Sequence, residues 1–378
     1  MILSHDRSIA ILTMSGSSGL AGAARRRTWG PTMTRAIHPL QPDEVGELGR
    51  FLSEGFGASG EMGPHSPEVL LWKYFDGRGH EAFPRSFVVR EGGAIVGHVG
   101  LCPTAFLVGP GRDGEVPTLH MIDWLGSAEY RGVGVSLLRH IQSLTATQYA
   151  CGASAAARRV LDGARYDRPG DVPVFRKVLR AGYRLRASER VSAGALAGAA
   201  HDATRMVLGR GRALERPVEI RRVAAFGHEV EAVVNAITTS AISTGRWPGL
   251  LNHLLRHPSG SLEGYQILEA GEVRGFALLN VLLRGRSRSG RIVECFLDDR
   301  SAALGHAAIA ALVASLRERG ADVALGCGST PWAAEAYREN EFAEVYRLEF
   351  RLRDPAGLVP RGGPFHLTFL EADYSYLP

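Results

Sequence analysis

Lysine is nearly absent from this chain of 378 residues. Lys73 and Lys177 are the only two, and arginine supplies the rest of the 44 basic residues. These face 39 acidic residues, for a formal net charge of +5. A nucleic-acid-binding protein gathers its basic residues into a stripe or face. Here they are scattered, and the densest cluster, Arg25-Arg26-Arg27, lies in a Gly/Ala/Ser-rich leader, so no nucleic-acid partner is expected. Cysteine is also scarce. Cys102, Cys151, Cys295 and Cys327 stand far apart, with no CxxC and no Cys/His ligand spacing. A disulfide framework and a zinc site are thereby disfavoured, and a reduced, metal-free cytoplasmic protein is expected. No apolar run approaches the roughly 20 residues needed to cross a bilayer, so no membrane partner is expected either. Two nucleotide-binding motifs are missing as well: a GxxxxGK[ST] loop, and GxGxxG with an acid about 20 residues later.

What remains is a chain 45% hydrophobic and 22% charged, with 46 Gly and 19 Pro. That is the composition of a soluble globular protein, and the length suits two domains at roughly 100–200 residues each. Residues 1–32 read as a flexible extension, because patterned sequence begins at Met33. An internal repeat follows. Phe87 to Gly100 alternates apolar residues around a glycine turn, and Tyr265 to Leu278 does so again, with Glu91, Gly93 and Gly97 falling on Glu269, Gly271 and Gly275. The glycines suit the positive φ of a tight turn and a close approach in the second strand.

Upstream, Val45, Leu48, Phe51 and Leu52 show the 3-to-4 spacing of an amphipathic helix, as do Val230, Val233, Val234 and Ile237. Ser66-Pro67-Glu68 supplies a helix cap and an N1 proline, and Thr330-Pro331-Trp332 does the same late in the second half. Trp72 and Trp247 precede the two hairpins. Each half therefore reads strand, helix, helix, hairpin, strand, helix, strand, helix, strand. The division expected is a first unit over 33–186, a connector over 187–217 with helix potential at Thr204 to Leu208, a second unit over 218–353, and a tail over 354–378 ending in a strand from Phe365.

One segment carries chemistry. Thr118 to Leu125 is an apolar strand, followed by Gly126-Ser-Ala-Glu-Tyr-Arg131-Gly132-Val133-Gly134-Val135-Ser136 and then by Leu137, Leu138, Ile141 and Leu144 at helical spacing. A strand, a glycine-bearing loop and a helix N-terminus form an anion site, where unpaired N–H groups and the helix dipole favour negative charge. The pattern Arg131-Gly-Val-Gly134-Val-Ser136, led by Ala128-Glu129-Tyr130, resembles the pyrophosphate loop of the GNAT superfamily of N-acetyltransferases. Ser136 departs from the usual Gly or Ala.

Leu70-Leu-Trp72-Lys73-Tyr74, Ala164-Arg165-Tyr166 and Leu367-Thr368-Phe369 with Asp373 resemble segments of two-domain members, associated with polysaccharide or amino-sugar pathways. The resemblance spans 33–378. It implies an α/β fold of two tandem units, each a mixed, mostly antiparallel twisted sheet flanked by helices. It also implies acetyl-CoA as acyl donor, bound by Trp124, Leu125 and Gly126 of the strand and by Arg131, Gly132, Val133, Gly134, Val135 and Ser136 of the loop. The acceptor would be a small-molecule amine: an amino sugar, an amino acid or a secondary metabolite.

Direct transfer needs a base for the amine and an acid for the departing thiolate. Asp123 is the expected base, because an acid within Met-Ile-Asp-Trp-Leu is costly to bury without a role. Capping a loop or pairing with an arginine is its alternative. His120 is either a proton relay or a core histidine, and Tyr166 either the acid or a packing aromatic. In the second half, Val293 to Gly305 shows no such loop and carries Asp298 and Asp299 in its place. That half is expected to bind no cofactor. Two rival functions stay open: an aminoacyl-tRNA-dependent transferase of the peptidoglycan-bridge type, and a non-catalytic acyl-CoA-binding protein. Oligomeric state is not legible from the sequence.

Overall fold

A computed structural model describes residues 36–57, 63–76, 84–109, 114–187, 192–208, 216–238, 241–298 and 301–372. The expected extension 1–32, Asp299 and Asp373 lie outside them.

The first half runs β1 (Ile37–Pro39), α1 (Val45–Phe56), α2 (Pro67–Tyr74), β2 (Ser86–Glu91), β3 (Ala94–Leu107), β4 (Glu115–Gly126), α3 (Val133–Leu144), β5 (Gln148–Cys151), α4 (Ala155–Gly163) and β6 (Asp167–Val178). After α5 (Tyr183–Ala187) and α6 (Ala193–Leu208), the second half repeats the order. It comprises β7 (Glu219–Val223), α7 (Glu229–Thr238), β8 (Ile242–Thr244), α8 (Pro248–Leu255), β9 (Leu262–Glu269), β10 (Glu272–Arg284), β11 (Ser287–Leu297), α9 (Ala302–Glu318), β12 (Val323–Cys327), α10 (Pro331–Glu339), β13 (Ala343–Arg353) and β14 (Phe365–His366). The helix in the connector is longer than its sequence suggested, and β8 is an added strand.

Local chemistry sets these elements. The apolar stripe of α1 buries Val45, Leu48 and Leu52, and Gly57 ends the helix at φ 65°. Ser66 Oγ accepts from the Val69 amide to cap α2. Both hairpins turn through two residues of positive φ, Gly92-Gly93 and Ala270-Gly271, the backbone of a type I′ turn. Each then carries a bulge just before its repeat glycine: Val89 pairs with Gly97 and Arg90 with Ile95, while Ile267 pairs with Gly275 and Leu268 with Val273.

All the strands join one sheet, ordered β1-β2-β3-β4-β5-β13-β6-β12-β11-β10-β9-β7, with β8 and β14 off this path. The order shows an exchange. β13, from the second half, pairs with β5 of the first (Phe350 opposite Cys151), and β6, from the first, pairs with β12 of the second (Val178 opposite Val323). Between them β6 and β13 pair with each other. The halves thus complete one another's sheets, and separating them would break both ladders. Helices cover the two faces. Leu137, Leu138, Ile141 and Leu161 pack on one side of the first half, Leu304, Leu312, Trp332 and Tyr337 on the corresponding side of the second. Leu48, Leu70, Val233 and Leu251 join a core shared by both halves.

Among the described residues of the tail, only Phe365 and His366 form a strand. From Thr368 the backbone bonds to side chains instead: the Thr368 amide donates to Glu371 Oε2 and the Leu370 amide to Thr368 Oγ1. These local bonds compete with a ladder and end the expected strand.

Candidate functional site

β4 and β5 lie parallel but pair only through Leu119 with Gln148 and His120 with Tyr149. β4 continues to Gly126, so beyond His120 the strands part. The far edge of β5 is closed by β13, and the opening lies between Met121–Gly126 and the end of β5. At its mouth stand the N-termini of α3 and α4.

The α3 terminus has the features of an anion site. Gly132 caps the helix at φ 84°, a conformation glycine adopts without strain. The Ser136 amide makes the first intrahelical bond, to Gly132 O. The amides of Gly134 and Val135, one step earlier, therefore have no partner along the helix. Two glycines let the loop sit where it does. A Cβ on Gly97 would lie 2.1 Å from Val133 Cγ1, and a Cβ on Gly126 would lie 3.2 Å from the Gly134 nitrogen. Gly97 thus admits the first turn of α3 against β3, and Gly126 keeps the Gly134 N–H open. Trp124 fixes the same turn, its indole N–H donating to Gly134 O at 3.2 Å. Leu125 packs toward α1, with its Cδ2 2.2 Å from where a Cβ on Gly55 would stand. Arg131, Gly132, Val135 and Ser136 are exposed, and Val133 is buried in the core. Gly97→Ala is expected to lower stability by about 1–3 kcal/mol through overpacking, read as a lower urea midpoint at unchanged slope.

Asp123 lies at a bulge in β4, where pairing with β3 shifts from His98–Leu125 to Gly100–Ile122. Its φ is 47°, a left-handed conformation uncommon outside glycine. Its carboxylate Oδ2 accepts from Lys73 Nζ at 2.8 Å and from the Tyr74 hydroxyl at 2.6 Å. Gly100 makes room for that phenol: a Cβ there would stand 2.2 Å from the Tyr74 oxygen. The other oxygen, Oδ1, lies 3.9 Å from His65 Nε2. His98 Nδ1 lies 2.8 Å from the Asp123 carbonyl, and its Nε2 2.9 Å from Ser86 Oγ. Burial pushes the His98 ring down to about 4, so it is neutral at pH 7. It donates through Nδ1 and accepts through Nε2.

Asp123 is thus ion-paired, with a lysine where its alternative reading had an arginine. Burial raises a carboxylate's proton affinity, but the Lys73 charge and the hydrogen bonds from Lys73 and Tyr74, with His65 adding to them when protonated, outweigh it and hold the group well below the usual range. An ion-paired carboxylate of such low proton affinity is a poor base. His120 is a core residue, 2% exposed and stacked on Tyr149 at 4.5 Å. Tyr166 is buried, donates its hydroxyl to Gln148 Oε1, and is pushed up by burial, which makes it a weaker acid. It packs with Leu137 and Ile141 on the α3 face, whereas Lys73 and Tyr74 approach Asp123 from α2. The structure does not bring Asp123 and Tyr166 together.

The second half has the same opening, and it is filled. β11 and β12 pair from Ser289–Val323 to Ile292–Gly326 and then part. Gly275 pairs with Leu297 as Gly97 pairs with Gly126, so Glu294 holds the place of Asp123. Its Oε2 accepts from Arg246 Nε at 2.7 Å and from Thr368 Oγ1 at 3.0 Å, and its Oε1 lies 3.3 Å from His366 Nε2. Arg246 also donates to Glu371 Oε1 at 2.9 Å. Arg246, Glu294, His366 and Glu371 are all 0% exposed. The tail reaches the other strand too: Ser329, beyond β12, donates its amide to Leu367 O and accepts the Leu367 amide on Oγ. Residues 365–371 thus bridge the parted strands. At the turn after β11, Asp298 is paired with Arg274 at 2.8 Å.

Sequence reasoning gave Lys73 and Tyr74 no role beyond the Leu70–Tyr74 resemblance, and did not single out His65, His98, Arg246 or Glu294. The rarity of lysine was a usable signal for Lys73. Extending the hairpin repeat through the next strand would have aligned Glu294 with Asp123. Among the described residues there is no group of three or more His, Cys, Asp or Glu side chains placed to hold a metal. No described helix is long and apolar enough to cross a membrane.

No family model and no curated protein matches the sequence. Solved structures do match. A GCN5-related N-acetyltransferase from Anabaena variabilis is 13% identical, with a TM-score of 0.55 over 84% of this chain and 72% of that one. The N-myristoyltransferase of Saccharomyces cerevisiae, solved with bound myristoyl-CoA, is 12% identical, with a TM-score of 0.58 over 87% of this chain and 85% of that one. The chain therefore shares its fold with the GCN5-related N-acetyltransferases and with an N-myristoyltransferase.

Proposed function

We propose that the chain is an acyl-CoA-dependent N-acyltransferase, with acetyl-CoA as the donor, that acylates the amine of a small molecule by direct transfer. The observation that carries this reading is the junction of β4 and α3. The amides of Gly134 and Val135 lie in the first turn of α3 with no partner along the helix, and Gly97 and Gly126 make room for that turn, beside an opening between parallel strands. Backbone donors at a helix start suit a pyrophosphate, since the dipole adds about half a positive charge there. The parted edge of β4, from Met121 to Gly126, offers main-chain groups to an extended, amide-bearing donor.

The working division is a donor-binding unit over 33–186 and a second unit over 218–353 that supports it through the exchanged strands. The tail bonded to Glu294 and Ser329 stands where a second donor would lie, which supports one donor site per chain. An amino sugar, an amino acid or a secondary metabolite is the acceptor class proposed, and the cytoplasm, where acyl-CoA is made, is the proposed location.

The test is titration calorimetry with acetyl-CoA, followed by thiol release from acetyl-CoA in the presence of a panel of amines. Saturable binding with amine-dependent release supports the reading. Binding without release on any amine would favour an acyl-CoA-binding protein, and no binding would refute the assignment.

A further inference from the structure

We propose, independently of the acyltransferase reading, that an arginine-lined cavity beside the connector is a second anion site, for a small phosphate monoester. The cavity measures about 460 Å³, within the roughly 300–1,000 Å³ of small-molecule sites. Arg180, Arg186, Arg286 and Arg288 line it, and Asp322 is the one acid among its described lining residues. Four segments bring them together. Arg180 follows β6, where its amide and that of Leu179 donate to the Asp322 carbonyl. Arg186 lies in α5, Arg286 in the turn between β10 and β11, and Arg288 near the start of β11.

Asp322 is fully engaged by its neighbours. Its Oδ1 accepts from Arg186 Nη2 at 2.6 Å, and its Oδ2 from the Arg288 amide at 2.8 Å and from Ser287 Oγ at 3.2 Å. Arg180, Arg286 and Arg288 are exposed and pair with no carboxylate among the described residues. Two of their guanidinium groups converge. A Cβ on Gly320, at φ 83°, would stand 3.1 Å from Arg288 Nη1 and 3.6 Å from Arg180 Nη2, so both reach one spot over the end of α9. Arg288 Nη1 donates to Arg319 O at 3.3 Å, which leaves the rest of its fork for a ligand. Like charges so placed repel, and an anion between them turns that repulsion into attraction.

The number of converging cations selects the ligand. A carboxylate presents one charge and two oxygens, which a single guanidinium fork satisfies. A phosphate monoester presents close to two charges and three oxygens, which suits two forks with Arg286 at the rim. Leu283, 73% exposed in the same wall, offers apolar surface to the ester's carbon chain. The site is remote from the β4–α3 loop. Phe350 of β13 pairs with Cys151 at the end of β5 and with Gly170 of β6, whereas the cavity lies past Val178, opposite Val323. From Gly170 to Val178 the strand spans roughly 25 Å at about 3.3 Å per residue.

The test is calorimetry with glycerol 3-phosphate on the full chain carrying Gly134→Glu, so that no phosphate binds at the start of α3. One molecule per chain is expected. The same single site is expected in the unmodified chain saturated with acetyl-CoA, which serves if the Gly134→Glu protein does not fold. Arg180→Gln and Arg288→Gln, added singly, are each expected to weaken binding by on the order of tenfold or more, the usual effect of losing a charge-assisted hydrogen bond. Both residues are exposed, and circular dichroism checks that the fold is kept. Citrate, which carries comparable charge on carboxylates, is expected to bind roughly tenfold more weakly than the phosphate ester. Absence of saturable binding once the α3 site is blocked, unchanged affinity in either arginine variant, or citrate binding as tightly as glycerol 3-phosphate would overturn the proposal.

Discussion

Gly134→Glu is expected to abolish acetyl-CoA binding and leave the fold intact. The first atom of the new side chain has room: a Cβ at this position has its nearest neighbour, the Trp124 indole, at 3.5 Å, which is ordinary contact. Gly134 lies in the first turn of α3, where an acid is favourable to the helix dipole. The same acid is fatal to a phosphate site. A carboxylate within about 4 Å of a phosphate repels it by roughly 4 kcal/mol at an effective dielectric near 20, about a thousandfold in affinity. Gly134→Ala separates charge from bulk and is expected to keep measurable binding. Calorimetry with acetyl-CoA, with circular dichroism as the control for folding, reads both. Undiminished affinity in Gly134→Glu would remove the phosphate role from this loop.

Arg246→Met is expected to be the most destabilising of the substitutions considered. It leaves Glu294 and Glu371, both 0% exposed, without their shared cation. Breaking a buried pair by removing one partner typically costs about 3–5 kcal/mol. The pH dependence has a definite sign. Burial would raise the Glu294 pKa, but Arg246 and His366 outweigh it and hold the group below the ordinary glutamate value of 4.5. A carboxylate depressed in this way contributes stability that is present above about 4.5 and lost as the pH falls toward its folded value. In Arg246→Met the unpaired Glu294 instead gains by taking a proton. The difference in urea midpoint between the two proteins is therefore expected to be widest near neutral pH and to narrow on acidification. A pH-independent difference, or one below about 1 kcal/mol, would show that the network is not the anchor of the tail.

Much of the fold was legible because its signals are local. The type I′ turns at Gly92-Gly93 and Ala270-Gly271, the Ser66 cap and the apolar stripes of α1 and α7 are each written within a dozen residues. The strand–loop–helix at 118–144 was legible for the same reason. The exchange of β6 and β13 was not, because it joins strands about half the chain apart and leaves each strand's own pattern unchanged. The tail misled for a different reason. Phe365-His-Leu-Thr-Phe-Leu alternates like a strand, yet Thr368 and Glu371 are committed to Glu294 and Arg246. Asp123 shows the limit most clearly. Its strand context marked it as an acid with a role, but its role depends on Lys73 and Tyr74, some fifty positions earlier. Those residues ion-pair and hydrogen-bond its carboxylate.

The stoichiometry of acetyl-CoA binding tests the division between the halves most directly. Both halves part their parallel strands, yet among the described residues the second opening is filled by residues 365–371. Calorimetry on the whole chain is expected to give one acetyl-CoA per chain, unchanged by Asp298→Ala and lost in Gly134→Glu. Two molecules per chain, or a single one that survives Gly134→Glu, would contradict the assignment of the donor to the β4–α3 loop.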